Sequence, residues 1–466
     1  MTRDRFGGLH TSEDQVATGA FEEAVVELVA HRPSIVRALD TALAIDPAFV
    51  AAHALKGICK LLLARGDLTG PARQALEDAG SAAAARREVT AIEAALLAAL
   101  HELVEGRFAA AARHLDDHLL NSPRDLVSLK LSHALRFMIG DCEGMLSTTT
   151  AVLGAWSRSM PGYGFVLGCH AFALEECGEL SASEAAGRTA VEHEPHDAWG
   201  LHAVAHVYEM QGRTAEGIAW IERHEPIWRQ CNNFAFHVAW HLALFRMEAG
   251  SPELALALYD TQIRPKQTDD FRDIANAASL LWRLEQAGID VGDRWRALHP
   301  SALHRRLDTT LTFASLHYLL ALIGAADLEA AHELARALEA RGQSGTEAQA
   351  EIASSVGYPL AAILLDRGPR RGGGAHLPEL AARLQGLGGS HAQRDVFLRS
   401  LAVIAADLGD GRAAMRILAM RRRLRSDDRF TAFVEDRIRA GQDLTAKSRR
   451  SRMGATREKL QRHAAQ

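Results

Sequence analysis

Apolar residues recur at helical spacing along almost the whole chain, and the alternating pattern of a β-strand is absent. Glycines divide this pattern into units, because a glycine closes one apolar helix after another and several precede an Ala-rich stretch. Steps of 34, 38, 34 and 38 residues separate Gly106, Gly140, Gly178, Gly212 and Gly250. The pattern therefore predicts a series of helix pairs, each with a glycine at its turn.

A helix–turn–helix unit of about 34 residues is typical of the tetratricopeptide repeat. One such pair cannot bury its apolar face alone, so neighbouring pairs must stack on each other. We therefore predict an all-α fold, a tetratricopeptide-like helical-repeat solenoid in which antiparallel helix pairs form a right-handed superhelix over residues 1–440. Further pairs are predicted within 311–341, 358–387 and 394–425.

Two segments depart from the helical pattern. The run R-G-P-R-R-G-G-G-A at 367–375 is too rich in Gly and Pro for regular helix and predicts an exposed loop. The end of the chain, 441–466, is basic, and its last twenty residues contain seven Lys or Arg against one acid. We expect this segment to be a flexible, solvated tail.

Composition limits the class of protein. Hydrophobic residues make up 48% and charged residues 24%, as in ordinary globular domains. A net charge of -5 over 466 residues gives no indication of nucleic-acid binding. The five scattered cysteines form no CxxC pair and indicate a reducing compartment. Without a secretory signal or a run of about 18 apolar residues, we expect a cytoplasmic protein with no membrane partner; no pattern indicates an oligomeric state.

Four histidines are spaced so that they share helix faces in two consecutive units. His202 and His206 lie four residues apart on one predicted helix, with Glu209 in phase three residues further on, and His237 and His241 lie four apart on the next. Side chains at i and i+4 project from one face of a helix. Because the first helices of consecutive units are neighbours in the stack, the two pairs are predicted to meet across one seam.

This arrangement indicates metal chemistry. Two histidines at i and i+4 form a bidentate clamp, and two clamps with a carboxylate supply the ligands that Zn, Fe or Mn take. The lead hypothesis is an enzyme of small-molecule metabolism with this site in the concave face, where the ion would activate water, dioxygen or a substrate carbonyl. Glu209 would be a ligand or general base. The residues predicted to orient the substrate are His317, on a later first helix, and His391 and Arg394, at a helix N-terminus suited to an anion.

Three other interpretations remain open. In the first, the imidazoles simply hydrogen-bond one another and backbone carbonyls in a polar seam. In the second, the chain is a scaffold that holds a peptide or partner protein in its concave groove, as such solenoids commonly do. In the third, the chain binds a metal or haem without catalysis. The sequence contains no P-loop, GxSxG elbow, dinucleotide fingerprint or HExxH motif that would specify a reaction.

Three segments of the chain resemble the tetratricopeptide repeat protein 38 family. They are D-A-W-G-L-H-A-V-A-H-V-Y-E-M-Q-G-R at 197–213, N-F-A-F-H-V-A-W-H-L-A-L-F at 233–245 and G-G-S-H-A-Q-R-D at 388–395. The first two contain the paired histidines, and the resemblance extends over most of the chain, from 42 to 425. It implies a helical-repeat fold and brings no activity with it. The Gly-rich run and the basic tail depart from the family pattern.

Overall fold

The computed structural model describes residues 1–345, 347–366 and 376–441, and these residues are almost entirely helical. Their only strands form a short antiparallel ladder at the N-terminus, in which β1 (Thr2–Arg3) pairs with β2 (Leu9–His10). The loop predicted at 367–375 lies outside the described residues, and so does the predicted basic tail apart from Gly441.

The helices follow one another with short connections. In the first half of the chain they are α1 (Gln15–Val29), α2 (Ile35–Ile45), α3 (Val50–Leu61), α4 (Thr69–Ala84), α5 (Ala91–Val104), α6 (Phe108–Asn121), α7 (Leu126–Met138), α8 (Cys142–Leu153), α9 (Tyr163–Glu176), α10 (Leu180–His193), α11 (Ala198–Met210) and α12 (Thr214–Arg223). In the second half they are α13 (Glu225–Trp228), α14 (Phe234–Glu248), α15 (Pro252–Leu258), α16 (Phe271–Gln286), α17 (Arg294–His304), α18 (Thr312–Gly324), α19 (Leu328–Ser344), α20 (Ala348–Ile352), α21 (Tyr358–Leu365), α22 (Leu377–Arg383), α23 (His391–Asp407) and α24 (Gly411–Arg422). Residues 429–441 form a last helix. Short 3₁₀ turns occupy Gly66–Leu68 and Leu384–Leu387, and π-helical turns occupy Tyr259–Ile263 and Ala353–Gly357.

The predicted glycines lie at the turns between the two helices of each expected pair. Each of the five glycines follows the first helix of a pair and has a positive φ, between 69° and 85°. Only glycine adopts this left-handed conformation without steric cost, so it can reverse the chain directly after a helix. The all-α, helical-repeat fold predicted from this periodicity is confirmed.

The first helices do not line an open groove. Every residue of α11 is buried, because its sequence A-W-G-L-H-A-V-A-H-V-Y-E-M is apolar nearly all round and needs neighbours on every side. The N-terminal helix α1 packs against α7. From the C-terminal region, the Ser426 N–H donates to the Met210 carbonyl at 2.8 Å. The N-terminal and C-terminal regions therefore cover parts of the first helices that were predicted to line an open groove.

One helical stretch, Ala348–Leu365, is long and apolar enough to cross a membrane, with a mean hydropathy of 1.2, and 44% of it is buried inside the protein. Leu360, Ala361 and Leu364 within it pack in the hydrophobic core. A core helix meets the same criteria of length and composition, so this stretch is weak evidence for a membrane span.

Candidate metal centre

Helices α11 and α14 bring four imidazoles together in the interior. His202 and His206 project from α11, His237 and His241 project from α14, and all four are at most 8% exposed. Nε2 of His202 lies 3.0 Å from Nε2 of His206, 3.0 Å from that of His237 and 3.1 Å from that of His241. The Nε2 atoms of His237 and His241 are 3.3 Å apart. The two pairs therefore meet across one seam, and their ligand atoms are close enough to hold one metal ion.

The outward-facing nitrogens of the α14 histidines bind fixed acceptors. Nδ1 of His241 donates to Oε2 of Glu209 at 3.0 Å, and the other oxygen of Glu209 accepts from Arg425 at 3.2 Å. Nδ1 of His237 donates to Oδ1 of Asn276 at 2.9 Å. In a neutral imidazole only one nitrogen carries the proton. These contacts therefore leave the Nε2 lone pairs of both residues free and directed at the centre.

On α11, the outer nitrogen of His206 faces a carboxylate but has no hydrogen bond of acceptable geometry to any described residue. This nitrogen, Nδ1, lies 3.3 Å from Oε2 of Glu175, a fully buried carboxylate on α9. Nδ1 of His202 is buried, and no residue in the described part of the chain forms a hydrogen bond with it. His202 can therefore carry its proton on Nε2, but it can donate that proton to only one of its three neighbours. The remaining lone pairs face one another at hydrogen-bond distance, an arrangement that a cation between them would stabilise.

Burial sets the protonation states of the centre. It lowers the pKa of His202 and His237 well below the usual range, and it lowers the pKa of His241 to about 4. Burial also acts on His206, but the carboxylate of Glu175 outweighs it and raises the pKa of His206. Burial would raise the pKa of Glu209, yet the bond from His241 and the charge of Arg425 lower it to about 2. Three of the four imidazoles are therefore neutral at pH 7, the form that binds metals.

Aromatic rings enclose the imidazoles. Phe172 stacks on His202 with ring centroids 5.5 Å apart, and Trp240 stacks on His237 at 5.3 Å. Phe234 meets the edge of His202 at 5.2 Å. This apolar shell packs against the imidazoles and fixes the ring orientations, as the shell around a metal site does.

Two of the residues predicted to orient a substrate bind a carboxylate of the protein itself. The backbone N–H of His391 donates to Oε1 of Glu176 at 2.8 Å, and the guanidinium of Arg394 lies 3.1 Å from Oε2. Burial would raise the pKa of Glu176, but His391 and Arg394 lower it overall. The anion expected at the N-terminus of α23 is thus a side chain from α9, next in sequence to Glu175. The predicted role of both residues toward a substrate stays a prediction.

His317 is not brought into contact with the four histidines. Its Nδ1 lies 2.8 Å from the Phe313 carbonyl, and its ring meets that of Phe397 at 5.0 Å. It is 1% exposed, and burial lowers its pKa to about 4. These contacts are those of a packed core imidazole, and its predicted role toward a substrate is likewise untested.

The sequence analysis missed Glu175 and Asn276. A signal for Glu175 exists, because it stands three residues before the turn glycine Gly178, as Glu209 stands three residues before Gly212. Aligning the repeats on their glycines therefore selects both carboxylates. No comparable signal marks Asn276, which reaches His237 from α16.

A cavity of about 290 Å³ adjoins the centre, and His237 forms part of its wall. Six residues of α7, among them Lys130, line it together with residues such as His31, which follows α1, Trp199 of α11 and Phe234 of α14. One imidazole of the centre is therefore shared with a space that a small molecule could fill.

Comparisons with known proteins add little to this picture. No family model matches the chain. The solved structure of Naa15/Naa10 bound to HypK-THB is similar at 14% sequence identity and a TM-score of 0.25, covering 90% of this chain and 65% of that chain. The chain thus spans less than two thirds of the length of the protein it matches. A similarity this low carries no argument about function, and the helical-repeat fold is evident from the helix pairs themselves.

Proposed function

We propose that this protein is a metal-binding helical-repeat protein whose four buried histidines hold one divalent transition-metal ion. The observation that carries the proposal is the convergence of four Nε2 atoms at 3.0–3.3 Å while three of the Nδ1 atoms face acceptors. Histidines that bind metals almost always direct the other ring nitrogen to a carboxylate or carbonyl, which fixes the tautomer and the ring. A polar seam without a metal would instead pair each lone pair with an N–H.

The spacing of the nitrogens suits a single ion. An ion about 2.0–2.1 Å from four tetrahedral nitrogens places them about 3.3–3.4 Å apart, slightly wider than the Nε2 separations of 3.0–3.3 Å. An all-imidazole donor set suits Zn and Fe better than Mn, which prefers oxygen ligands. The same close contacts leave no space for a porphyrin between the imidazoles, so the proposal is a bare ion rather than haem.

A catalytic role is the second candidate. The cavity beside His237 favours it, because a metal that activates a substrate needs a space for that substrate next to its ligands. Glu209 would then influence the reaction only by orienting His241, because its two oxygens accept hydrogen bonds from His241 and Arg425. The third hypothesis, a scaffold for a peptide or partner protein, would need a binding surface other than the fully buried helix α11.

The narrower assignments are also proposals. We infer membership of the tetratricopeptide repeat protein 38 family from three segments, two of which contain the four histidines. We propose a cytoplasmic location, supported by five cysteines that are all free.

Elemental analysis tests the proposal directly. The full chain, expressed with supplements of Zn, Fe and Mn in turn and dialysed, is analysed by inductively coupled plasma mass spectrometry. We expect about one metal ion per chain, as a single four-ligand site requires. Less than about a tenth of that stoichiometry with every metal would overturn the proposal.

A further inference from the structure

The cavity beside the centre has apolar walls. Phe137, Trp199, Phe234 and Phe313 are among the aromatic rings that line it, together with leucines from α1, from α7 and from the segment directly after α3. Its wall includes Val36, near the start of α2, which is 53% exposed, so the space reaches the surface there. A concave, mostly apolar space with a few polar groups is the usual form of a small-molecule site.

Lys130 places a buried ammonium in this wall. It is 5% exposed, and among the described residues no carboxylate lies within 4.0 Å of its Nζ. The ammonium donates to Nε2 of His31 at 3.0 Å and lies 4.6 Å from the centroid of the Trp199 ring. Asp197 is near enough for Lys130 to influence its pKa, but it does not line the cavity. A buried charge is costly unless it is paired, so Lys130 has capacity for an anion.

His133 supplies a second donor on the same face of α7, three residues from Lys130. The indole N–H of Trp199 donates to Nε2 of His133 at 3.0 Å. Because an indole only donates, Nε2 is the acceptor, and the proton of the neutral ring is on Nδ1. That nitrogen is buried and has no hydrogen-bond partner among the described residues. The cavity wall therefore holds an unsatisfied N–H next to an unpaired ammonium.

Three other charged side chains line the wall. Arg272 pairs with Asp270 at 2.6 Å. Glu27, the one carboxylate among the lining residues, accepts from the Ser34 N–H at 2.8 Å. Arg32 lines the cavity as well. The charge left over in the wall is therefore positive and is carried by Lys130, which is buried, and by Arg32, which is less buried.

We propose that this cavity binds a small organic acid, with its carboxylate on Nζ of Lys130 and Nδ1 of His133 and its apolar body against Trp199 and Phe234. A carboxylate has acceptors for both donors, and its charge pairs with the ammonium. The aromatic walls suit a flat or branched hydrocarbon body. Binding does not require the metal, so this site extends beyond the proposed metal-binding function, although a ligand here would lie next to His237.

The probe is 4-fluorobenzoate, with 4-fluorobenzamide as an uncharged control of the same shape. Binding to the full chain at pH 7 is followed by ¹⁹F NMR and isothermal titration calorimetry. We expect one benzoate site per chain. The amide should bind at least about tenfold more weakly, because it leaves the ammonium unpaired. Equal affinities, or no binding of benzoate at millimolar concentration, would overturn the proposal.

Variants locate the site. Lys130→Met removes the charge at similar volume and should weaken benzoate binding about tenfold or more, whereas Lys266→Met, at an exposed position, should leave it unchanged. Metal content is measured on the same samples and should equal that of the parent. If Lys130→Met fails to fold, benzoate should still raise the melting temperature of the parent while benzamide does not. Parent-like benzoate affinity in folded Lys130→Met would show that the carboxylate binds elsewhere.

Discussion

Nδ1 of His241 donates to Oε2 of Glu209 at 3.0 Å, and both residues are buried. The bond joins two neighbouring first helices, since Glu209 is at the end of α11 and His241 is in α14. It fixes the tautomer of His241 so that Nε2 faces the other three imidazoles. A carboxylate in this position also increases the basicity of the imidazole and hence its strength as a ligand.

Replacing Glu209 should therefore weaken metal binding without removing a ligand. Glu209→Gln keeps an acceptor but loses the charge, and we expect about tenfold weaker Zn binding, at the lower end of the effect of such outer contacts. Competition with a chromophoric chelator measures it. Glu216→Gln, at an exposed site on the next helix, is the matched control and should bind as the parent does. An unchanged affinity in Glu209→Gln would contradict a metal bound through His241.

Substitution of one histidine on each helix tests whether they share an ion. His206→Ala and His237→Ala should each lose most metal binding, because removing one ligand disturbs the geometry of the others. The double variant should be little worse than either single one, since non-additive effects indicate a common site. His332→Ala, on the exposed side of α19, serves as the control. A folded double variant with the parent's metal content would end the metal hypothesis.

Metal affinity should decline in two stages as the pH falls. His206, whose pKa is raised by Glu175, is protonated first, and the metal must then displace one proton. His241 has a pKa of about 4, and those of His202 and His237 are also lowered by burial, so they add little competition above pH 5. We expect about tenfold loss of affinity per pH unit below the pKa of His206 and a steeper loss near pH 4.

Chelator competition at pH 7, 6, 5 and 4 measures this profile. Free histidines titrate near 6.5, so a site of exposed imidazoles would lose affinity with a slope of three or four protons already at pH 6. That slope would show that the four rings are not buried together.

Arg394 should prove important for stability rather than for metal content. Arg394 is 3% exposed and its guanidinium lies 3.1 Å from Glu176, so Arg394→Met leaves that buried carboxylate without its cationic partner. We expect a loss of about 3–5 kcal/mol in the free energy of unfolding, measured with urea. The double variant Arg394→Met/Glu176→Gln should recover part of it, because the unpaired charge is gone. A stability equal to the parent's would mean that Arg394 is free to bind a substrate instead.

The sequence by itself determined the helix pairs and the candidate ligands. Turn glycines at regular steps fix where helices end, since only glycine takes the left-handed conformation cheaply, and they also set the register of the pairs. The four-residue spacing of His202 with His206 and of His237 with His241 puts each pair on one helix face by helical geometry alone. Both properties are local, so they can be read without knowing the contacts between distant parts of the chain.

Only the tertiary structure decided what surrounds those ligands. Glu175, Asn276 and Lys130 come from helices whose positions depend on how the whole array curves and closes. The same closure buries α11 on every side and gives His391 and Arg394 an internal carboxylate. Burial then lowers the pKa of most of the imidazoles, a consequence of long-range packing that no spacing along the chain encodes.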